Sequence, residues 1–138
     1  MRIDTIGAVK RVSKKGSVVE LSPLYREGLH GIAPGDRLDV LYWMHKLPAK
    51  QRRTLKVHPQ GNKHKPLKGV FGLRSPMRPN PIGVSTVTVQ RVEKHVLYVT
   101  PFDAFDGSPV IDIKAARRNE ESGRQTKALG EARREETR

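Results

Sequence analysis

Leu38-Asp39-Val40-Leu41-Tyr42-Trp43-Met44 is the richest apolar run in this chain, and its length and aromatic content predict a buried central strand with Trp43 in the core. Ala33-Pro34-Gly35-Asp36, just before it, is a strong turn signal. Further upstream, residues 23–32 predict one or two helical turns, with Pro23 placed for a helix start. Residues 3–12 read as a strand in which Gly7 marks a bulge or a close approach. Lys14-Lys15-Gly16 then turns the chain into a hairpin partner at residues 17–21. Downstream, residues 54–58 read as a short strand, 59–66 as a polar loop and 70–73 as a short strand-like apolar segment. Alternation resumes over 84–92 through Val84, Thr86 or Val87, Val89 and Val92, and Glu93-Lys94-His95 turns it into a partner at 96–99. Residues 110–113 close the series. Many short strands with turn signals every ten residues or so indicate a sandwich or a closed barrel. The expected fold is all-β in the main: a small β-barrel of short strands with one short helical segment and a charged C-terminal tail.

The chain has 138 residues, which predicts one domain able to bury a hydrophobic core. Its expected extent is residues 1–114. Residues 115–138 are rich in Ala, Glu, Arg and Lys, with almost no large apolar groups, and read as a frayed helix or a disordered tail. The absence of cysteine excludes disulfides, thiolate metal sites and thiol nucleophiles. The five histidines show no ligand spacing, so no metal is expected. No apolar run reaches membrane-spanning length and no signal-peptide core is read at the N-terminus, so a soluble cytoplasmic protein is expected.

The 27 basic and 14 acidic residues give a net charge of +13. The tail contributes seven basic residues and five glutamates, so the body holds 20 and nine, a net of +11. Such an excess predicts an anionic partner, with nucleic acid first among them. The densest segment, 46–68, includes Lys50, Arg52, Arg53, Lys56, Lys63 and Lys65. Several of these could contact phosphates; alternatively they form a solvated loop that aids solubility.

Two segments stand out as candidate sites. In Arg74-Ser75-Pro76-Met77-Arg78-Pro79-Asn80-Pro81, three prolines fix their own φ and hold the residues before them extended. A stiff loop carrying Arg74 and Arg78 suits a carboxylate or phosphate ligand, since little ordering entropy is lost on binding. The plainer reading is a rigid turn with solvated arginines. In Phe102-Asp103-Ala104-Phe105-Asp106-Gly107-Ser108-Pro109, two aspartates three apart sit beside two phenylalanines. They could hold ribose hydroxyls and cover a purine face. Equally, the aspartates could cap backbone amides and the phenylalanines plug the core. Asp112 reads as a structural partner of Lys114 or Arg74. His45, at the end of the apolar run, reads as a hydrogen-bonded rim residue or a ligand contact. No Gly-x-Gly-x-x-Gly follows a strand, so a Rossmann dinucleotide site is not expected.

Together, Arg74-Ser75-Pro76, Arg78-Pro79-Asn80-Pro81-Ile82-Gly83 and Asp103-Ala104-Phe105-Asp106-Gly107-Ser108-Pro109-Val110-Ile111-Asp112-Ile113-Lys114 resemble the signature blocks of the TsaA-like (YaeB, TrmO) family. Ile6-Gly7, Leu41-Tyr42-Trp43-Met44-His45 and Val57-His58-Pro59 add supporting matches, so the resemblance spans residues 6–114. It implies an S-adenosylmethionine-dependent methyltransferase on a β-barrel, acting as a homodimer with the cofactor near the interface. The implied substrate is the threonylcarbamoyl-modified adenosine next to the tRNA anticodon. The implied cofactor contacts are Met44, His45, Arg74, Ile82, Asp103, Phe105 and Asp106. On the substrate side, the threonyl carboxylate gives Arg78 an anion to pair with, and charge makes Lys50, Arg52 and Arg53 candidates for tRNA phosphates. No catalytic acid or base stands out. Longer members carry a Pro-Arg-Gln segment where this chain reads Ser13-Lys14-Lys15-Gly16-Ser17, and a C-terminal domain where it has the charged tail. The competing readings are a basic β-barrel RNA-binding module without catalysis, disfavoured by an aromatic content of only 5%, and a methyltransferase with a small-molecule acceptor.

Overall fold

A computed structural model describes residues 1–117. The expectation of a frayed or disordered tail over 115–138 therefore lies, beyond its first three positions, outside the described residues. Eight strands form: β1 Gly7–Val12, β2 Ser17–Leu21, β3 Arg37–Trp43, β4 Lys56–Val57, β5 Lys68–Gly69, β6 Ile82–Glu93, β7 Val96–Val99 and β8 Pro109–Ala115. Six of them close into a barrel in the order β1-β2-β7-β6-β3-β8, every pairing antiparallel. Closure leaves no open sheet edge in that ring.

Strand β3 is central, as its composition predicts, and is paired with both β6 and β8. It is not buried on both faces. Leu38, Val40 and Tyr42 point into the barrel, while Asp39, Leu41 and Trp43 are only half-buried on the outside. Trp43 is thus outside the core, contrary to expectation; the period-2 alternation of a strand gives the interior place to Tyr42 instead. The core is filled by valines and leucines, with Phe102 edge-on to Tyr42 at 5.6 Å between ring centres.

Gly7 marks a close approach, since a Cβ there would lie 2.7 Å from Leu21 Cα; the bulge in β1 falls farther along, between Val9 and Arg11. The helical turn upstream of β3 is the 3-10 helix Pro23–Leu29, with Pro23 in its first turn and Ser22 Oγ accepting from the Leu24 amide. Three more short 3-10 segments occur where none is expected: Ala49–Arg53, Pro59–Gly61 and Val70–Gly72. The strand-like segment at 70–73 is therefore a 3-10 turn following the two-residue strand β5.

These pieces belong to one long excursion, residues 44–81, that leaves the barrel at the end of β3 and rejoins it at the start of β6. Its two ends are tied by the Met44 amide donating to the Pro81 carbonyl at 2.7 Å. Inside it β4 and β5 make a two-stranded sheet, and Val70 is buried with its amide bonded to the Leu55 carbonyl at 3.0 Å.

Candidate cofactor cleft

The excursion stands beside the 100–108 loop, and a cleft lies between them. One lobe, ≈ 770 Å³, is lined by Arg74, Arg78, Asn80, Ser85 and Asp103 together with Phe71 and Ile82. The other, ≈ 460 Å³, is lined mostly by apolar groups, among them Met44, Leu47, Pro48, Ala104 and Phe105. Tyr42, Met44, Arg74 and Asp103 line both lobes and so mark their junction. A third groove, ≈ 930 Å³, runs along the β4–β5 side of the excursion and shares Arg74 with the cleft.

The two arginines of the proline loop differ. Arg78 Nη1 donates to the carbonyls of Leu73 at 3.2 Å and Ser75 at 3.1 Å, bracing the loop from within. Arg74 makes no hydrogen bond or ion pair to any of the described residues and is exposed at the junction of the lobes. Asp103 is exposed too and pairs with none of the described residues. Arg74 and Asp103 thus place a cation and a carboxylate at the junction without pairing to each other, and Lys46 adds a further cation on the second lobe.

The floor is set by cross-strand register. Gly83 stands opposite Tyr42, and a Cβ at Gly83 would lie 2.7 Å from Tyr42 Cζ, so glycine there makes room for the ring. The Tyr42 hydroxyl and Ser85 Oγ are 3.2 Å apart. Neither Tyr42 nor Ser85 is singled out by sequence reasoning; forty-odd residues separate them, and only the β3–β6 register joins them.

Of the residues expected at the cofactor, Met44, Arg74, Ile82, Asp103 and Phe105 line the cleft. His45 and Asp106 line neither lobe; each only neighbours a lining residue in sequence, Met44 and Phe105. The His45 ring approaches buried Ser108 Oγ at 3.5 Å, while that hydroxyl donates to the Phe105 carbonyl at 2.6 Å and so fixes the turn. Asp106 precedes Gly107, whose φ of 85° is the left-handed value a glycine takes readily. Asp112 pairs with Lys114 at 3.5 Å, one of its two expected partners. Among the substrate-side candidates, Lys50 and Arg53 are exposed on the Ala49–Arg53 turn. Arg52 is not a free cation: it is hydrogen-bonded to Pro79 and stacked over Trp43. No group of three or more His, Asp or Glu able to hold a metal occurs among the described residues, nor a helix long and apolar enough to cross a membrane.

The family model for the tRNA-methyltransferase O N-terminal domain matches residues 8–119. The chain belongs to that family. Among relatives of the tRNA-methyltransferase O domain, it is 43% identical over 114 residues to a probable S-adenosyl-L-methionine-binding protein of Pyrococcus horikoshii, covering 82% of this chain and 80% of that one. It is 42% identical over 110 residues to a protein of the same description from Methanocaldococcus jannaschii, covering 79% and 86%. A putative S-adenosylmethionine-dependent methyltransferase of Pseudomonas aeruginosa is 34% identical over 99 residues, 70% of this chain and 41% of that one. The crystal structure of TrmO from P. aeruginosa superposes with a TM-score of 0.62 at 25% identity, covering 85% of this chain and 55% of the solved chain. The chain thus spans about half the length of that TrmO. The family and the mainly β fold expected from the sequence are both borne out.

Proposed function

We propose that this chain is an S-adenosylmethionine-dependent methyltransferase whose cofactor sits in the cleft between the proline loop and the 100–108 loop. Support comes from the names of its relatives, two described as probable S-adenosyl-L-methionine-binding proteins and one as a putative S-adenosylmethionine-dependent methyltransferase, and from the chemistry of the lining. The observation that carries the reading is the junction of a polar and an apolar lobe at Arg74 and Asp103, neither paired with any described residue. A ligand with an amino-acid end and an adenine end matches such a cleft. Arg74 orients the carboxylate of the amino-acid end. Asp103 accepts from ribose hydroxyls, and Met44, Phe105 and Ile82 enclose the base, while the expected contacts of His45 and Asp106 require the ligand to extend beyond the two lobes. When bound, the cofactor supplies an electrophilic sulfonium methyl. The chain's own contribution is to position the acceptor in line and exclude water. Arg78 holds the loop that carries Arg74, and the Tyr42–Ser85 floor sets the depth of the polar lobe.

The acceptor in this reading is the threonylcarbamoyl-modified adenosine beside the tRNA anticodon, methylated on its exocyclic nitrogen in the cytoplasm. The basic body, with its net charge of +11, provides for an RNA partner. A homodimer completes the reading. Phe71 is 76% exposed on the cleft rim, and Val84 is exposed opposite Leu41 on the outer face of the barrel, next to Ile82 and Trp43. A second copy covering that apolar strip would bring the cleft close to the interface. The test of the reading is transfer of labelled methyl from S-adenosylmethionine to tRNA. Incorporation that depends on the threonylcarbamoyl group supports it. No incorporation into either tRNA by a protein that binds the cofactor would refute the assigned acceptor.

A further inference from the structure

No acidic residue occurs between Asp39 and Glu93, so the whole 44–81 excursion is free of negative side chains. Within it, the ≈ 930 Å³ groove has Lys56, Lys63 and Lys65 among its lining residues, with Leu67 and Met77 adding apolar surface. The groove reaches Leu73 and Arg74, which also line the polar lobe of the cleft. It is a braced feature rather than a loose lysine loop. Lys56 and Val57 pair with Gly69 and Lys68, and the His58 ring lies 2.7 Å from the Lys65 carbonyl. A carbonyl only accepts, so Nδ1 carries the proton and clamps the loop. Among the described residues Lys65 Nζ meets only the neutral Gln60 Oε1, at 3.3 Å, and no carboxylate pairs with it. Lys56 and Lys63 make no ion pair with any described residue.

We propose that this groove is the track along which single-stranded RNA approaches the cleft, with its phosphates on Lys56, Lys63 and Lys65 and the acceptor base turned in past Arg74. The inference rests on the tRNA reading above and assigns the surface that serves it. A cationic groove tracks an RNA backbone through its phosphates, and Leu67 and Met77 offer splayed bases apolar contact where other single-strand sites use aromatic rings. A duplex fits less well, because its bases stay stacked and an acceptor atom inside the stack cannot enter a cleft.

The test measures binding of an anticodon stem-loop RNA to the whole chain at several salt concentrations. The unaltered protein is compared with the Lys56→Ala/Lys63→Ala/Lys65→Ala triple variant and a charge-matched triple, Lys10→Ala/Lys14→Ala/Lys15→Ala, on the β1–β2 hairpin. The groove triple should bind at least tenfold more weakly. Its slope of log K against log salt should fall by about two, since each lost single-strand phosphate contact removes about 0.7. The hairpin triple should change affinity less than threefold. S-adenosylmethionine affinity, which reports a folded cleft, should stay within twofold in both. Equal losses in the two triples would reduce the groove to bulk charge and overturn the inference. So would loss of cofactor binding confined to the groove triple. If the unaltered protein binds the cofactor but no RNA, the tRNA reading itself fails and the groove assignment falls with it.

Discussion

Arg52 donates from Nε to the carbonyl oxygen of Pro79 at 2.8 Å, and its guanidinium lies 5.2 Å from the ring centre of Trp43. One side chain therefore ties the Ala49–Arg53 turn to the end of β3 and to the proline loop that carries Arg74. It separates Arg52 from its neighbours Lys50 and Arg53, which are solvent-facing. Arg52→Ala should lower stability by about 1–3 kcal/mol, from a charge-assisted hydrogen bond and a cation–π contact that are partly exposed. Lys50→Ala and Arg53→Ala should leave stability within about 0.5 kcal/mol and reduce RNA binding only modestly. Urea unfolding of the three variants checks the division.

Arg74 and Arg78 should also part company. Arg78→Ala removes two bonds to backbone carbonyls and should cost about 1–2 kcal/mol of stability, toward the low end for charged donors because the site is half exposed. Arg74→Ala loses no partner among the described residues and should unfold like the unaltered protein. It should nonetheless bind S-adenosylmethionine at least tenfold more weakly. Thermal unfolding and a binding titration on both variants give the comparison. Loss of stability in Arg74→Ala with affinity intact would reverse the assignment.

Gly83→Ala places a methyl against the Tyr42 ring and should destabilise by about 1–3 kcal/mol, the usual cost of overpacking. Tyr42→Phe removes only the hydroxyl facing Ser85 and should cost about 1 kcal/mol. If Gly83→Ala were as stable as the unaltered protein, the ring would have to have room to move aside, and the cleft floor would be softer than the register implies.

The barrel was largely legible in the sequence because its strands obey the two-residue period. β2, β6, β7 and β8 fall where the alternation puts them, and the Ser22-Pro23 start of the 3-10 helix follows from local chemistry. The excursion was not legible in detail. Its 3-10 turns are too short to show a period, and the burial of Val70, whose amide donates to the Leu55 carbonyl, follows no periodic pattern. At the site, the proline loop and the aspartate turn were visible as motifs. The division of labour between Arg74 and Arg78 was not, because two arginines four residues apart look alike until their carbonyl partners are known. Tyr42 and Ser85 were missed for the same reason: their proximity is a property of strand pairing.

The exposed strip of Phe71 and Val84 predicts a change of assembly state. Phe71→Asp/Val84→Asp should shift the protein from dimer to monomer in sedimentation at micromolar concentration, since burying two charges in an apolar interface is strongly unfavourable. An unaltered protein that sediments as a monomer would remove the dimer from the account.

The claim on which the rest depends is that the Arg74–Asp103 cleft seats S-adenosylmethionine, and calorimetric titration tests it most directly. The unaltered chain should bind one cofactor per chain. Asp103→Ala should bind at least tenfold more weakly, in line with about 1.5–3 kcal/mol for a hydrogen bond to a charged group, while keeping its thermal stability. A folded unaltered protein that takes up no cofactor, or an Asp103→Ala protein with an unchanged dissociation constant, would contradict the account.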